Sequence, residues 1–509
     1  MKVAFRFDCT PGLGTGHAHR MANLAEELDC LAAEIIYITS AMTKQQDLPS
    51  RIDIFSVESN HVSQPNDWDL TIDAQSLGDV GKRFEELDAY STLKICNQKK
   101  IDVLILDHYF LSQKWVDLVN KNGLLVIAVD DIGRTWNNLF ALIDYNPIIK
   151  IKYQSIAGIK HKLFGLNYTL LSREYKDTQR TPQENGESIQ VFTGGTDQTG
   201  LTNRLMNVIR PILDPMDRIL LVIGNQNNDS VILREQWGDD DQVEMYTSLT
   251  TLSGINAIST WAIGAGGVAA IERCCVGVPS LVVSISKNQE LIGKDLDALG
   301  VIKYIGNHDQ LLEADLTLAI ENFKADKNLR ENIARAAQES VDSFGVQRVL
   351  IKLFPDLQEM KLRSAKNDDS NKLYSWVNDS LVRKNSIHRI PITKSEHQTW
   401  FQNYLNNSSS QIYILEIKGL LLGQVRFDLI DNLFHISYSV DSKFRGLGLG
   451  KRIIEMGLKE IKTDKLSKYV AEVRDFNTAS RRIFESIGFT LVDVNEDQVV
   501  KYYFQDKCN

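Results

Sequence analysis

The sequence predicts an α/β protein in which two doubly wound domains in tandem precede a smaller α/β module with a mixed sheet. Three observations predict it. Short apolar runs alternate with helical patterns over residues 1 to about 155, and again over 186 to about 305. Glycine-rich turns follow several of the predicted strands. Beyond residue 372 the period changes to consecutive strands. A chain of 509 residues is expected to divide into about three domains.

The first domain is placed at residues 1–155, with strands at Val3–Phe7, Ala33–Ile38, Val103–Leu106 and Leu124–Val129. Helices fit Ala18–Leu28, Phe84–Asn97 and Ser112–Lys121. The turn after the first strand, Gly12-Leu13-Gly14-Thr15-Gly16-His17-Ala18-His19-Arg20, opens the first helix. Glycines there allow positive φ and a close backbone approach, and a helix N-terminus offers unpaired N–H groups. His17 adds a base that works near neutral pH. The turn lacks the G-x-G-x-x-G spacing of dinucleotide binding. Polar residues end the strands at Asp8, Asp107-His108-Tyr109 and Asp130-Asp131, where open parallel sheets bind ligands. For Asp107-His108 and Asp130-Asp131 a helix-capping role is the alternative reading.

The second domain is placed at 156–360, with strands at Ile189–Phe192, Ile219–Ile223, Ala257–Ser259 and Leu281–Ile285 and three helices between Gln310 and Leu353. Its glycine turns are Thr193-Gly194-Gly195-Thr196-Asp197 and Gly264-Ala265-Gly266-Gly267. The polar, charged stretch 361–374 reads as a linker. The third domain, 375–509, has strands at Gln411–Ile417, Leu420–Leu429 and Leu433–Val440. A helix at Leu449–Ile461, a strand at Lys468–Val473, a helix at Thr478–Ile487 and two final strands follow.

Composition narrows the function. The chain is 43% hydrophobic and 24% charged, ordinary for a globular protein, and its net charge of −9 argues against a general nucleic-acid binder. The cysteines (Cys9, Cys30, Cys96, Cys274, Cys275, Cys508) form no C-x-x-C pair, so reduced thiols and no zinc site are expected. Glu272 and Arg273 interrupt the most apolar stretch, and the first strand starts without a signal-peptide core. A cytoplasmic protein with no membrane span and no metal is the expectation.

Arg445-Gly446-Leu447-Gly448-Leu449-Gly450 follows a strand and opens a helix. Successive N–H groups there form an anion nest for a pyrophosphate. Together with Glu472-Val473-Arg474, Asn477, Ser480 and Phe484-Glu485-x-x-Gly488-Phe489, this resembles the GNAT acetyltransferases over roughly residues 375–505. The resemblance implies acetyl-CoA as co-substrate, held by Val440, Arg445, Gly446, Gly448, Gly450, Lys451, Asn477 and Ser480. Glu472 has two readings, a base acting through water or a surface-strand glutamate. Where many members carry a tyrosine that protonates the leaving thiolate, this chain has Phe484, which cannot.

Gly14-Thr15-Gly16-His17-x-x-Arg20, Asp107-His108-Tyr109, Asp130-Asp131, the two later glycine turns with Glu272, and Asn288-Gln289 occur in one order. This array is similar to the UDP-sugar hydrolases of pseudaminic-acid biosynthesis, which have the GT-B fold of two Rossmann-like domains. The resemblance spans roughly residues 1–350. It implies hydrolysis of UDP-2,4-diacetamido-2,4,6-trideoxy-β-L-altropyranose, with His17 activating water for attack at the anomeric carbon. It also implies UDP and substrate binding by Gly14, Gly16, Arg20, Asp107, Gly194, Gly195, Gly266, Gly267, Glu272 and Asn288. Val268 departs from the Ser or Thr usual after the second glycine pair.

The combined expectation is a bifunctional enzyme that N-acetylates a UDP-4-amino sugar with acetyl-CoA and then removes UDP. Three alternatives stand beside it: acylation of another amine, acyl-CoA binding alone, and a GT-B glycosyltransferase.

Overall fold

The computed structural model describes residues 1–9, 15–41, 43, 52–57, 78–121, 123–147, 157–407, 409–461, 468–495 and 498–505. Two compact units divide the chain, residues 1–353 and 354–509.

Among the described residues the first unit begins with β1 (Lys2–Phe7), α1 (Gly16–Asp29), β2 (Glu34–Ser40), β3 (Asp53–Val57), α2 (Gly78–Lys99), β4 (Val103–Asp107), α3 (Gln113–Asn120), β5 (Leu125–Val129), β6 (Ala141–Asp144) and β7 (His161–Phe164). These strands form a parallel sheet in the order β3-β2-β1-β4-β5-β6-β7. The second lobe contains β8 (Ser188–Phe192), α4 (Leu201–Ile209), β9 (Arg218–Ile223), α5 (Ser230–Trp237), β10 (Val243–Thr247), α6 (Ser253–Ile258), β11 (Trp261–Ala265), α7 (Val268–Val276), β12 (Ser280–Ser284), α8 (Lys287–Ala298) and β13 (Lys303–Asn307). Its parallel sheet runs β10-β9-β8-β11-β12-β13. Helices α9 (Glu313–Ala325), α10 (Lys327–Ser340) and α11 (Gly345–Leu353) complete the unit.

Both sheets reverse direction beside their first strand, between β1 and β4 and between β8 and β11. Ligands of such sheets bind at the carboxyl ends of the strands flanking that point. The turns after β1, β4, β8 and β11 are the ones that carry the sequence motifs. Strands β1, β4 and β5 are buried on both faces, which explains their near-continuous apolar runs. Helix α1 buries Ala18, Met21, Leu24, Ala25 and Leu28, a stripe of helical period.

The second unit holds β14 (Met360–Ser364), α12 (Ser370–Val377), α13 (Ser380–Asn385), α14 (Lys394–Leu405), β15 (Ser410–Ile417), β16 (Leu420–Ile430), β17 (Leu433–Val440), α15 (Leu449–Glu460), β18 (Lys468–Arg474), α16 (Thr478–Ile487), β19 (Thr490–Val494) and β20 (Val499–Gln505). The sheet runs β14-β15-β16-β17-β18-β20-β19, antiparallel except at β17–β18. One core joins Leu373, Trp376, Phe401, Tyr404, Ile412 and Ile414.

Four boundaries differ from the sequence reading. The stretch 361–374 is not a linker: β14 pairs with β15, and the unit boundary lies at Leu353/Phe354. Charges that read as solvated are engaged, since Arg363 pairs with Asp369 and Glu416, each at 2.7 Å. The first sheet extends past residue 155 to β7. From the other end, α11 packs against α1, and Arg348 Nη1 donates to the Asn167 carbonyl at 2.8 Å. Ala257–Ser259 is not a strand. Ala257 and Ile258 belong to α6, Ser259 Oγ donates back to the Ile255 carbonyl at 2.7 Å, and the strand is Trp261–Ala265.

Close backbone packing fixes the second lobe. A Cβ on Gly264 in β11 would lie 1.8 Å from the Phe192 carbonyl oxygen on the neighbouring β8. Gly264→Ala is expected to destabilise the first unit by about 2 kcal/mol or more. Urea unfolding followed through the tryptophans checks this; an unchanged midpoint would contradict the packing.

Candidate functional site

The N-terminal end of α1 places two functional side chains one turn apart. His17 and Arg20 are each 3% exposed, although both are polar. Their partners come from the ends of other strands. His17 Nδ1 lies 2.6 Å from Asp107 Oδ1 at the end of β4. Arg20 donates through Nε to Asp107 Oδ2 at 2.5 Å and through Nη2 to Asp107 Oδ1 at 2.5 Å. Its Nη1 donates to Asp131 Oδ2 at 2.6 Å and to the Tyr145 hydroxyl at 2.5 Å. Tyr109 donates to Asp131 Oδ2 at 3.1 Å, accepts from Asn288 Nδ2 at 3.3 Å, and meets the His17 ring edge-on with centroids 4.4 Å apart.

This arrangement dictates the histidine's tautomer. Two groups approach Nδ1: Asp107 at 2.6 Å, which can only accept, and Arg20 Nη2 at 3.0 Å, which can only donate. The shorter, charge-assisted contact with Asp107 favours the proton on Nδ1 and the lone pair on Nε2. Burial alone pushes the Asp107 carboxyl up, but the Arg20 charge and the hydrogen bonds from His17 and Arg20 outweigh it and hold it below the ordinary carboxylate range. Arg20 is likewise desolvated, yet Asp107 and Asp131 keep it charged. Formally the group carries one positive and two negative charges, so a proton gained by His17 brings it to neutrality.

A cavity of about 330 Å³ opens beside this group. His17, Gly16, Arg20, Tyr109 and Asp131 line it from the first lobe. Gly194, Gly195, Gly266, Gly267, Val268, Glu272, Asn288 and Gln289 line it from the second. Gly194 has φ +115°, which other residues rarely adopt, and a Cβ on Gly195 would sit 2.7 Å from Thr15 Oγ1. Glycine is needed there for the two lobes to approach. Gly267 is the N-cap of α7, so the free N–H groups of that helix begin at the cavity wall, with Val268 as its first residue. Burial pushes the Glu272 carboxyl up to about 7, against the partial relief of Arg273.

The structure therefore brings His17, Gly16, Arg20, Gly194, Gly195, Gly266, Gly267, Glu272 and Asn288 to one cavity, with Asp107 behind the histidine. Gly14 lies outside the described residues. The capping alternatives separate. Asp130 holds its own turn by accepting from Arg134 N at 2.8 Å and Trp136 Nε1 at 3.1 Å, whereas Asp131 joins the site. Asp107 and His108 cap nothing: Ser112 caps α3, and His108 Nε2 reaches Asp8 at 3.0 Å. Sequence reasoning placed Tyr109 at the cleft among the polar residues after β4 without a specific role, and it missed Tyr145, whose signal is a polar residue directly after the buried strand β6.

In the second unit, β17 and β18 pair only at Phe434–Tyr469 and His435–Val470, and their continuations diverge toward the glycine loop. Gly446 and Gly448 have φ +78° and +85°, and Gly448 caps α15. A Cβ on Gly450 would lie 2.9 Å from Ile483 and 3.0 Å from the Tyr438 ring. Asn477 caps α16 and its Nδ2 lies 3.0 Å from Ser480 Oγ, which bonds the Tyr438 hydroxyl at 2.9 Å. Arg445 is already engaged within the protein: it bonds Asp379 at 2.6 Å and the Val440 carbonyl at 3.3 Å, bracing the loop. Lys451 stands 3.7 Å from Glu455. Glu472 is exposed on β18, 4.0 Å from Lys501. Phe484 is 2% exposed, packed among Tyr438, Phe489 and Tyr502.

Among the described residues no group of three or more His, Cys, Asp or Glu side chains is disposed to hold a metal, and no helix is long and apolar enough to cross a membrane.

Comparisons with known proteins agree with this anatomy. Residues 359–490 match the family model of the acetyltransferase (GNAT) domain. The chain is 23% identical over 277 residues to the spore coat polysaccharide biosynthesis protein SpsG of Bacillus subtilis, covering 53% of this chain and 81% of that one. It is 19% identical over 231 residues to the UDP-2,4-diacetamido-2,4,6-trideoxy-β-L-altropyranose hydrolase of Campylobacter jejuni, covering 45% and 71%. The crystal structure of Acinetobacter baumannii MurG superposes with a TM-score of 0.50 at 13% identity, over 69% of this chain and 98% of that one, a likeness of fold. The protein thus joins two parallel sheets of GT-B type, with homologues among nucleotide-sugar enzymes, to a GNAT acetyltransferase domain.

Proposed function

We propose that residues 1–353 hydrolyse a UDP-sugar at its anomeric carbon and that the C-terminal domain N-acetylates an amino sugar with acetyl-CoA. The pair of substrates that joins both activities is UDP-2,4-diacetamido-2,4,6-trideoxy-β-L-altropyranose and its 4-amino precursor, consecutive intermediates of pseudaminic-acid biosynthesis. The observation that carries the hydrolase reading is the His17–Asp107 pair, 2.6 Å apart, on a cavity walled by two glycine turns.

The mechanism follows from that geometry. Asp107 orients His17 so that Nε2 takes a proton from water, and the surplus negative charge of the group favours the imidazolium that forms. Water attacks the anomeric carbon and UDP departs with the bonding electrons. UDP is a good leaving group, so it needs charge stabilisation more than a proton, and no second catalytic carboxylate is required. The α7 N-terminus and the backbone at Gly194–Gly195 suit the diphosphate. Glu272, with two acceptor oxygens, suits a vicinal diol such as that of ribose, and Asn288 the sugar side.

In the GNAT domain the loop from Gly446 to Gly450 suits the cofactor's pyrophosphate, with Asn477 and Ser480 beside the divergent strands. Phe484 has no proton to give, so water or another hydroxyl protonates the thiolate. Glu472, exposed and near Lys501, keeps its two readings, base through water or surface residue.

Mass spectrometry of products tests both halves. Full-length protein given acetyl-CoA and UDP-4-amino-4,6-dideoxy-AltNAc is expected to yield CoA, UDP and the free diacetamido sugar. His17→Ala should accumulate the acetylated UDP-sugar, with UDP release lowered roughly 100- to 10,000-fold and UDP binding retained. UDP release at the wild-type rate would refute the base assignment, and absence of CoA from the wild type would refute the transferase.

Glu272 makes substrate binding depend on pH. Burial pushes its carboxyl up to about 7, and the ionised form is the better acceptor for a diol. Affinity for a UDP-sugar, whose diphosphate does not titrate in this range, should rise as pH increases from about 6 to 8, by up to roughly tenfold. Glu272→Gln should flatten the profile. Calorimetry that finds wild-type binding independent of pH would contradict this role.

A further inference from the structure

The group around His17 contains a second acceptor that this reaction has not yet used. Asp131 lines the cavity and is 7% exposed. Its Oδ2 accepts from Arg20 Nη1 at 2.6 Å and from the Tyr109 hydroxyl at 3.1 Å. Its Oδ1 is buried with no hydrogen-bond partner. Structures keep such an unsatisfied carboxylate oxygen where a ligand, water or reacting group completes it. The carboxylate that carries it is tied to the base on two sides, through its other oxygen. Arg20 bonds both Asp107 and Asp131, and Tyr109 packs on the His17 ring while donating to Asp131.

An attacking water has two protons, and a base removes one. With a single acceptor the water turns about that hydrogen bond, and its lone pair samples directions away from the carbon. A second fixed acceptor sets the plane of the molecule and aims the lone pair. We infer that Asp131 Oδ1 accepts the second hydrogen of the nucleophilic water. The step balances. The water oxygen bonds to the anomeric carbon, and the bond from that carbon to the phosphate oxygen breaks with its electron pair going to UDP. One proton passes to His17 Nε2, and the other stays on the new sugar hydroxyl, held but not taken by Asp131. This role rests on the hydrolase reading.

Methanol distinguishes the role from simple support of the site, because it has one O–H proton, for His17, and none for Asp131. Full-length protein is given a UDP-sugar that the wild type hydrolyses, in a water–methanol mixture, and methyl glycoside and free sugar are quantified. Asp131→Asn should lower hydrolysis about tenfold or more and raise the ratio of methyl glycoside to free sugar several-fold. An unchanged ratio, with both products falling together, would mean that Asp131 holds the sugar and would overturn the inference. So would unchanged hydrolysis, or retained UDP binding with neither product. Should Asp131→Asn lose UDP binding, Asp131→Glu displaces the acceptor and is expected to shift the ratio the same way; an unchanged ratio there also overturns it. Failure of the hydrolase reading is distinct: the wild type itself would release no UDP.

Discussion

The active architecture of the first unit depends on one buried guanidinium. Arg20 reaches from the first turn of α1 to residues at or just after the ends of β4, β5 and β6, through Asp107, Asp131 and Tyr145. Removing such charges from water costs several kcal/mol each unless they are paired with good geometry. Each of the three groups is therefore held where Arg20 can reach it, and His17 is oriented as a result. A second buried network lies alongside. Arg6 in β1 pairs with Asp88 at 2.6 Å and Asp8 at 2.7 Å, and His108 bonds Asp8. Trp115 donates to Asp88 at 2.8 Å, tying α3 to α2. These networks make the strand ends rigid without any carboxylate left to cap a helix at Asp107.

Much of this was legible in the residues themselves. The glycine turns after β8 and β11 announced their positions because positive φ at Gly194 and close approach at Gly195 and Gly266 restrict the residue types that fit. The strands β1, β4 and β5 announced themselves by burial on both faces. What stayed hidden has physical reasons. Strand β3 buries only Val57 and β7 carries His161 and Lys162, so neither has a long apolar run. Strand β6 is only four residues long, and Tyr145 beyond it went unread. The two adjacent aspartates 130 and 131 cannot be told apart by sequence, since only the fold decides which faces its own turn and which faces Arg20. The charged stretch 361–374 looked solvated because its partner Glu416 lies on a distant strand.

The two glycine-rich sites use the same principle with different emphasis. In the first unit the glycines of the second lobe let backbone meet backbone and leave α7 to present its N–H groups. In the GNAT domain, Gly446 and Gly448 shape the loop, while Arg445 is engaged by Asp379 and so serves the loop's conformation rather than adding free charge. Phe484 completes an aromatic cluster with Phe489 and Tyr502, which gives its side chain a packing role that a proton donor is not needed to fill. Val268 at the start of α7 carries no hydroxyl, so its side chain offers the cavity no hydrogen-bonding group there.

The central claim is that Asp107 fixes the His17 imidazole with its lone pair on Nε2. Nitrogen-15 NMR of the labelled histidines at neutral pH, with His17 assigned by comparison with His17→Ala, measures the tautomer directly. The account predicts that the neutral form of the ring carries its proton on Nδ1, with the Nε2 resonance at the position of an unprotonated nitrogen. A ring protonated at Nε2 and bare at Nδ1 would contradict it.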